Sequence, residues 1–178
     1  MIEAFPGVIG SGKDYRCRQL IKQGYSHINF ADKVRELTWR IVGWKPGTPE
    51  EYEKFKNSDL EIYHSQAKRI CIGRDVLVDI GDGVRELISA DAWIEVLKRD
   101  CKGLDKVCIS DLRFKNELRA LYWHFGESLK VTFCDYRSVK YNPVFDSPAE
   151  KMAQEMLALG FVDGHVLTEK DILSLMGG

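Results

Sequence analysis

Apolar and polar positions along the chain follow two periods in turn, and this alternation predicts strands separated by helices. Short apolar runs predict strands at residues 2–5, 25–30, 107–109, 129–134 and 161–167. Apolar positions three and four residues apart predict helices at residues 14–23, 31–42, 74–89, 91–98, 116–125, 148–159 and 169–176. Strands that alternate with helices are typical of an α/β fold with a central parallel sheet and helices on both faces.

One stretch departs from this alternation. Residues 43–49 contain two glycines and two prolines, which end the preceding helix, and residues 50–68 are mostly polar and charged. We interpret this stretch as an excursion with one helical piece. The length of 178 residues favours a single domain that spans residues 1–178. Within it, a mobile excursion at about 31–75 includes this polar stretch.

Composition narrows the classes of function. With 26 basic and 27 acidic residues the net charge is −1, so no strong overall field favours binding to nucleic acid or to a membrane. The five cysteines are an odd number without C-x-x-C spacing, which indicates reduced thiols. No signal-like start and no apolar run of about 18 residues is present. We therefore expect a cytoplasmic protein, in the host cytoplasm if the source is viral.

The most informative motif is the glycine-rich stretch at 7–14, GVIGSGKD. It matches the phosphate-binding loop pattern of two glycines five positions apart followed by lysine. Glycines let several backbone N–H groups turn toward one phosphate chain, Lys13 supplies a mobile positive charge, and the following helix presents its positive end. The last position is unusual, because Asp14 stands where Ser or Thr normally binds Mg²⁺. The alternative is a glycine turn that binds nothing.

Two charged residues follow the apolar strand predicted at 107–109. In parallel sheets ligands bind at the carboxyl ends of the strands, so Asp111 should lie at the same edge as the glycine loop and Asp32. A carboxylate there holds Mg²⁺ or its waters in phosphate-loop enzymes, although it can also cap a turn. Arg113 either reaches phosphate charge from this edge or pairs with Glu117 at the surface.

Basic side chains on the middle helices suggest a second anionic ligand. Arg35, Arg74 and Arg85 would suit a phosphate-bearing substrate, because guanidinium groups clamp phosphate in a bidentate manner. For each of these arginines the alternative is an ordinary solvated residue on the surface of a helix. Trp93 has the spacing of a core residue, and a base-stacking surface is the alternative.

Several of these pieces, in this order, resemble the bacteriophage-type deoxynucleoside monophosphate kinases. They are the loop GSGKD at 10–14, FAD at 30–32 with Arg35, Gly81 with Arg85, DAW at 91–93, and ISDLRFKNE at 109–117. The last is close to a family signature that reads roughly ISDVRFPNE. The resemblance covers about residues 1–137. Animal-type phosphomevalonate kinases share the Gly-Lys-Asp variant of the loop.

The resemblance implies a three-layer P-loop kinase fold with about five parallel strands, and phosphoryl transfer from ATP to a nucleoside or deoxynucleoside monophosphate with Mg²⁺. It implies that Gly10, Ser11, Gly12, Lys13, Asp14, Tyr15 and Arg137 bind ATP, and that Asp14 and Asp111 hold the metal. It further implies that Lys13, Asp111 and Arg113 are catalytic, and that Asp32, Arg35, Arg74, Arg85 and Trp93 bind the acceptor.

Three features of the family pattern differ in this chain, one of which is Lys115 in place of the usual proline. Tyr15 stands where the family usually has threonine, and the nearest candidate for the closing lid lies at about 136–146 with Arg137. The expected partners are small nucleotides rather than nucleic acid or membrane. Both a monomer and a homodimer are compatible with the sequence. Two alternatives remain: another small-molecule kinase of the phosphomevalonate or dephospho-coenzyme A kind, or a nucleotide-binding protein without activity.

Overall fold

The computed structural model describes residues 1–8, 10–65, 68–135 and 148–177, and the chain divides into two compact units. Unit 1 comprises Met1–Phe30 and Ile94–Gly178, and unit 2 comprises Ala31–Trp93. The excursion predicted at 31–75 lies within unit 2. None of the helices in the described part of the chain is long and apolar enough to cross a bilayer.

Six strands and eight α-helices form within the described residues. In chain order they are β1 (Ile2–Ala4), α1 (Lys13–Ile21), β2 (Ser26–His27), α2 (Asp32–Val42), α3 (Pro49–Asn57), β3 (Asp59–His64), β4 (Arg69–Ile72), α4 (Gly73–Leu87), α5 (Ala92–Asp100), β5 (Val107–Ile109), α6 (Lys115–Phe125), β6 (Leu129–Val131), α7 (Pro148–Ala158) and α8 (Glu169–Met176).

Unit 1 is an α/β structure with a parallel sheet in the order β2-β5-β1-β6. The central strand β1 pairs with β5 so that Ala4 lies opposite Ile109, and with β6 so that Ala4 lies opposite Val131. Because these strands are parallel and in this register, the segments after Ala4 and after Ile109 leave the sheet side by side. This register positions the candidate site.

The sheet separates two apolar clusters, because successive side chains of a strand point to opposite faces. Ala4, Ile109 and Val131 face the larger cluster, which also receives buried side chains from α5, α6, α7 and α8. Cys108 faces the smaller one, together with Cys17 of α1. The fold is therefore three-layered, as predicted.

All five cysteines are buried and reduced. Burial raises the pKa of the thiols of Cys101 and Cys134 to about 11, and it also raises the pKa of Cys17. At neutral pH these groups stay protonated, and they behave as small apolar residues of the core.

Unit 2 contains α2, α3, α4 and the antiparallel hairpin of β3 and β4. Thr48 caps α3 by accepting from the Glu51 N–H at 3.2 Å, and Pro49 occupies the first turn. A Cβ added to Gly73 would lie 2.2 Å from the Phe55 carbonyl oxygen, so α4 begins with glycine because α3 packs directly against it. Trp39 packs edge-on against Phe55, with ring centroids 5.0 Å apart.

The structure corrects two predictions. The excursion at 50–68 contains the predicted helical piece, but it continues into the hairpin of β3 and β4, which was not predicted. The strand predicted at 161–167 is wrong: within the described residues only one antiparallel bridge forms there, between Thr132 and Val166. Gly160 and Gly164, with φ of 82° and 84°, turn the chain on both sides of Phe161. The described sheet consequently has four parallel strands rather than about five.

Candidate functional site

The glycine-rich loop connects β1 to α1, as its sequence predicts. Gly7, Gly10 and Gly12 have φ values of 150°, 81° and 88°, which favour glycine. A Cβ on Gly7 would lie 2.2 Å from the carbonyl oxygen of Cys134 and 2.7 Å from the Ser11 hydroxyl oxygen. The loop therefore starts in close contact with the segment that follows β6, and only glycine fits at this point.

Lys13 folds back into its own loop. Its ammonium group donates to the Val8 carbonyl and lies 3.3 Å from the Ser11 hydroxyl oxygen. Burial lowers the pKa of Lys13, and the carboxylates of Asp14 and Asp111 act in the opposite direction. A cation that has lost part of its hydration in this way gains stability when an anion binds beside it. The loop thus offers a positive charge to a phosphate group.

Asp111 follows β5 at the carboxyl edge of the sheet, next to the glycine loop. This part of the predicted edge is confirmed, because β1 and β5 are adjacent and parallel. The side chain of Asp111 is 6 % exposed, and its Oδ1 accepts from the Phe30 N–H at 3.0 Å. The carboxylate is therefore held in one orientation by the segment that follows β2.

Asn29 and Ser110 complete this junction, although the sequence did not single them out as site residues. The Asn29 Oδ1 accepts from the Ser110 N–H at 3.0 Å and lies 3.3 Å from the Ser110 Oγ. The same Oγ lies 3.0 Å from the His27 Nε2. The signal was present, because Asn29 is a polar residue at the end of a predicted strand, as Asp111 is.

Asp14 and Tyr15 lie in the first turn of α1 and are exposed. A magnesium ion on a nucleotide takes only one or two carboxylates, with phosphate and water oxygens as the other ligands. Asp14 and Asp111 supply carboxylate oxygens, which are the kind of ligand that such an ion accepts. Among the described residues no group of three or more His, Cys, Asp or Glu side chains would hold a metal by itself.

Arg113 is exposed beyond β5, and Glu117 caps the helix that begins there. The Glu117 Oε2 accepts the backbone N–H groups of Arg113 and Phe114 at 2.8 and 3.0 Å. Glu117 is 2 % exposed, so this cap is part of the core. It fixes the backbone of Arg113, and the part that the Arg113 guanidinium takes in binding stays a prediction.

In unit 2 a cavity of about 610 Å³ contains two of the predicted acceptor residues, Asp32 and Arg35. Arg35 donates to the Asp32 Oδ1 at 2.8 Å, and its guanidinium carbon lies 5.7 Å from the Tyr52 ring centroid. Sequence reasoning missed the other residues of the cavity, which are Glu36, Trp39, Arg40 and Lys45. The cavity is open to solvent, and its lining combines three basic side chains, two acidic ones and one aromatic ring.

Arg85 and Trp93 meet at one carbonyl of α4. The Arg85 Nη1 and the Trp93 Nε1 both donate to the Gly81 oxygen, at 3.2 and 2.8 Å, and Arg85 also reaches the Asp82 Oδ1 at 3.2 Å. Trp93 is 4 % exposed, which is the burial expected of a core residue. Its predicted contact with a base stays untested.

The remaining predicted residues are not brought into these clusters. Arg74 is exposed in the first turn of α4. Arg137 and the lid predicted at 136–146 lie outside the described residues. Asp32 begins α2 and belongs to unit 2, whereas the glycine loop and Asp111 belong to unit 1.

Comparison with known proteins adds no relative: no protein-family model matches the chain, and no curated protein matches it either.

Proposed function

We propose that the protein transfers a phosphoryl group from ATP to a nucleoside or deoxynucleoside monophosphate. The observation that carries the proposal is the partly buried Lys13 ammonium, which lies within a glycine-rich loop between a central strand and a helix. The match of the residues at 109–117 and 30–32 to the monophosphate kinase pattern supports the choice of acceptor. Both kinds of support come from residues of this chain.

The residues of unit 1 suit the donor side. In this proposal the loop at 7–13 holds the β- and γ-phosphates, with Lys13 following the migrating group as its charge develops. Asp14 and Asp111 would hold Mg²⁺, which shields phosphate charge when it is bound. Arg113 would balance the charge on the transferred group. The chain forms no covalent bond with substrate, so the rate derives from positioning and electrostatics.

The residues of unit 2 suit the acceptor side. Arg35 and Arg85 form ion pairs within their own helices, with Asp32 and Asp82, and partly exposed pairs of this kind contribute about 0.3–0.5 kcal/mol. A dianionic phosphate would therefore displace Asp32 or Asp82 at little cost. The aromatic residue of the cavity, Trp39, would then lie against the base of the acceptor.

The direct test measures ADP release from Mg·ATP in the presence of each common nucleoside and deoxynucleoside monophosphate. Phosphomevalonate and dephospho-coenzyme A are included as acceptors of other kinases. We expect release that depends on one or a few monophosphates and is absent without acceptor.

Three outcomes separate the alternatives. ADP release with phosphomevalonate or dephospho-coenzyme A alone would change the proposed acceptor but support the proposed ATP site. Tight ATP binding without release for any acceptor would favour a nucleotide-binding protein, in line with the exposed Tyr15 at the family's threonine position. Failure to bind ATP at all would contradict the loop assignment.

A further inference from the structure

The segments that follow β2 and β5 are joined by hydrogen bonds from side chains to backbone N–H groups. Regular pairing ends at His27 and Cys108, and the Ile28 N–H still donates to the Cys108 carbonyl at 3.1 Å. From there the Asn29 side chain accepts the Ser110 N–H, and the Asp111 side chain accepts the Phe30 N–H. Each segment thus contributes one side-chain oxygen and one backbone N–H.

The two bonds are coupled by the chain itself. Asn29 and Phe30 are neighbours, as are Ser110 and Asp111, so a change in one bond shifts the donor or acceptor of the other. All three polar residues are buried, with Asn29 at 9 %, Ser110 at 4 % and Asp111 at 6 % exposure. Buried hydrogen bonds of this kind keep one geometry, because an unsatisfied partner is costly.

We infer that Asn29 is a positioning residue, which sets where the Asp111 carboxylate stands beside the glycine loop and so how strongly a nucleotide-bound Mg²⁺ is held. This inference rests on the donor half of the proposed function. Asn29 acts on Asp111 through the Ser110 backbone, whose N–H its side-chain oxygen accepts.

The Ser110 hydroxyl provides a matched control. Ser110→Ala removes the Oγ and its contacts with Asn29 and His27, but it keeps the backbone N–H that Asn29 accepts. Asn29→Ala removes the acceptor of that N–H. A positioning role through the backbone therefore predicts a large effect of Asn29→Ala and a small effect of Ser110→Ala.

The experiment is calorimetric titration of the full chain with ADP, once with excess Mg²⁺ and once with a chelator, and it needs no turnover. The ratio of the two dissociation constants measures the metal's part in binding. We expect Asn29→Ala to lower this ratio at least fivefold while the metal-free constant stays within twofold. Ser110→Ala should keep the ratio within twofold of wild type.

Melting curves check that each variant folds. If Asn29→Ala does not fold, Asn29→Gln, which moves the carbonyl by one methylene group, carries the same expectation. A ratio unchanged in these variants, equal weakening with and without Mg²⁺, or an equal effect of Ser110→Ala would overturn the inference. A wild-type protein that shows the metal effect but transfers no phosphoryl group would leave the inference standing and contradict the proposed function.

Discussion

The two units hold their candidate residues in different ways. In unit 1 the contacts join distant parts of the chain, since Phe30 binds Asp111 across 81 positions and Asn29 binds Ser110 across 81 positions. In unit 2 the ion pairs of the candidate arginines lie within single helices, since Arg35 pairs with Asp32 and Arg85 with Asp82, three positions apart. The fold of unit 1 thus holds its candidate residues together across the sheet edge, whereas the ion pairs of Arg35 and Arg85 follow helix spacing.

This difference has a consequence for binding. Residues fixed by a buried core are pre-organised, and a ligand meets them without rearrangement. Arginines held by local, partly exposed pairs exchange partners easily, and they suit a site that forms around its ligand. We therefore expect variants in unit 1 to change turnover and variants in unit 2 to change acceptor affinity.

The largest effect is expected for Lys13→Ala. The variant removes the one side-chain cation that lies inside the glycine loop in the described structure, and turnover should fall at least about 1,000-fold, or about 4 kcal/mol in barrier height. Steady-state kinetics measure the loss, and a melting curve shows that the fold survives. Lys22→Ala, at the exposed end of α1, is the control and should behave as wild type. Turnover of Lys13→Ala within threefold of wild type would refute the loop assignment.

Arg35→Ala and Arg85→Ala come next. Each should raise the KM for the monophosphate about 30-fold, or about 2 kcal/mol, with a much smaller change in the KM for ATP. We choose the lower end of the range for a truncated charge pair, because the side chains are 30 % and 21 % exposed. Separate titrations of ATP and acceptor measure the two constants. Equal changes in both, or none, would remove the acceptor role from these arginines.

A pair of glycines tests whether unit 2 can be weakened by itself. Gly73→Ala places a methyl group against the Phe55 carbonyl, so thermal or denaturant unfolding should show a loss of about 1–3 kcal/mol. Gly83→Ala, in the same helix with open space around it, should instead gain about 0.5–1 kcal/mol. ADP affinity should stay unchanged in both variants. A weaker affinity in Gly73→Ala would mean that the nucleotide side depends on this helix contact.

The smallest effect concerns the cap of α8 in unit 1. Hydrogen bonds from Thr168 lower the pKa of Asp171 below its usual 3.8. A carboxyl group whose pKa is lower in the folded than in the unfolded protein stabilises the fold at pH values above its unfolded-state pKa. This contribution is lost as the pH falls through its folded-state pKa. The difference in melting temperature between wild type and Asp171→Ala should therefore shrink from pH 7 to about pH 3. A constant difference would show that the charge of Asp171 does not contribute.

Most of unit 1 could be predicted from the sequence because its signals are local. The glycines of the loop, the apolar run at 107–109 and the helical spacing at 116–125 each specify one element. The rule that ligands bind at the carboxyl ends of parallel strands then placed Asp111 beside the loop correctly. Asn29 was missed because its role depends on a partner 81 positions away, which the sequence does not reveal.

The hairpin of unit 2 could not be predicted because its pattern is broken. Glu61 and Lys68 have positive φ values, and the register shifts between Asp59 and Tyr63. Such an irregularity interrupts the alternation that indicates a strand. At 161–167 a strand was predicted that does not form. Phe161 and Leu167 belong to the core, and their apolar side chains give this irregular segment the pattern of a strand.

Modification of the buried cysteines can measure which unit of the protein unfolds. Cys71 lies in unit 2, and Cys17, Cys101, Cys108 and Cys134 lie in unit 1. A thiol reagent reacts only with a cysteine that becomes exposed, so each modified thiol records a local unfolding event. Modification of Cys71 alone would report that unit 2 opens by itself. Modification of the other four without Cys71 would report unit 1, and modification of all five at one rate would report that the two units unfold together.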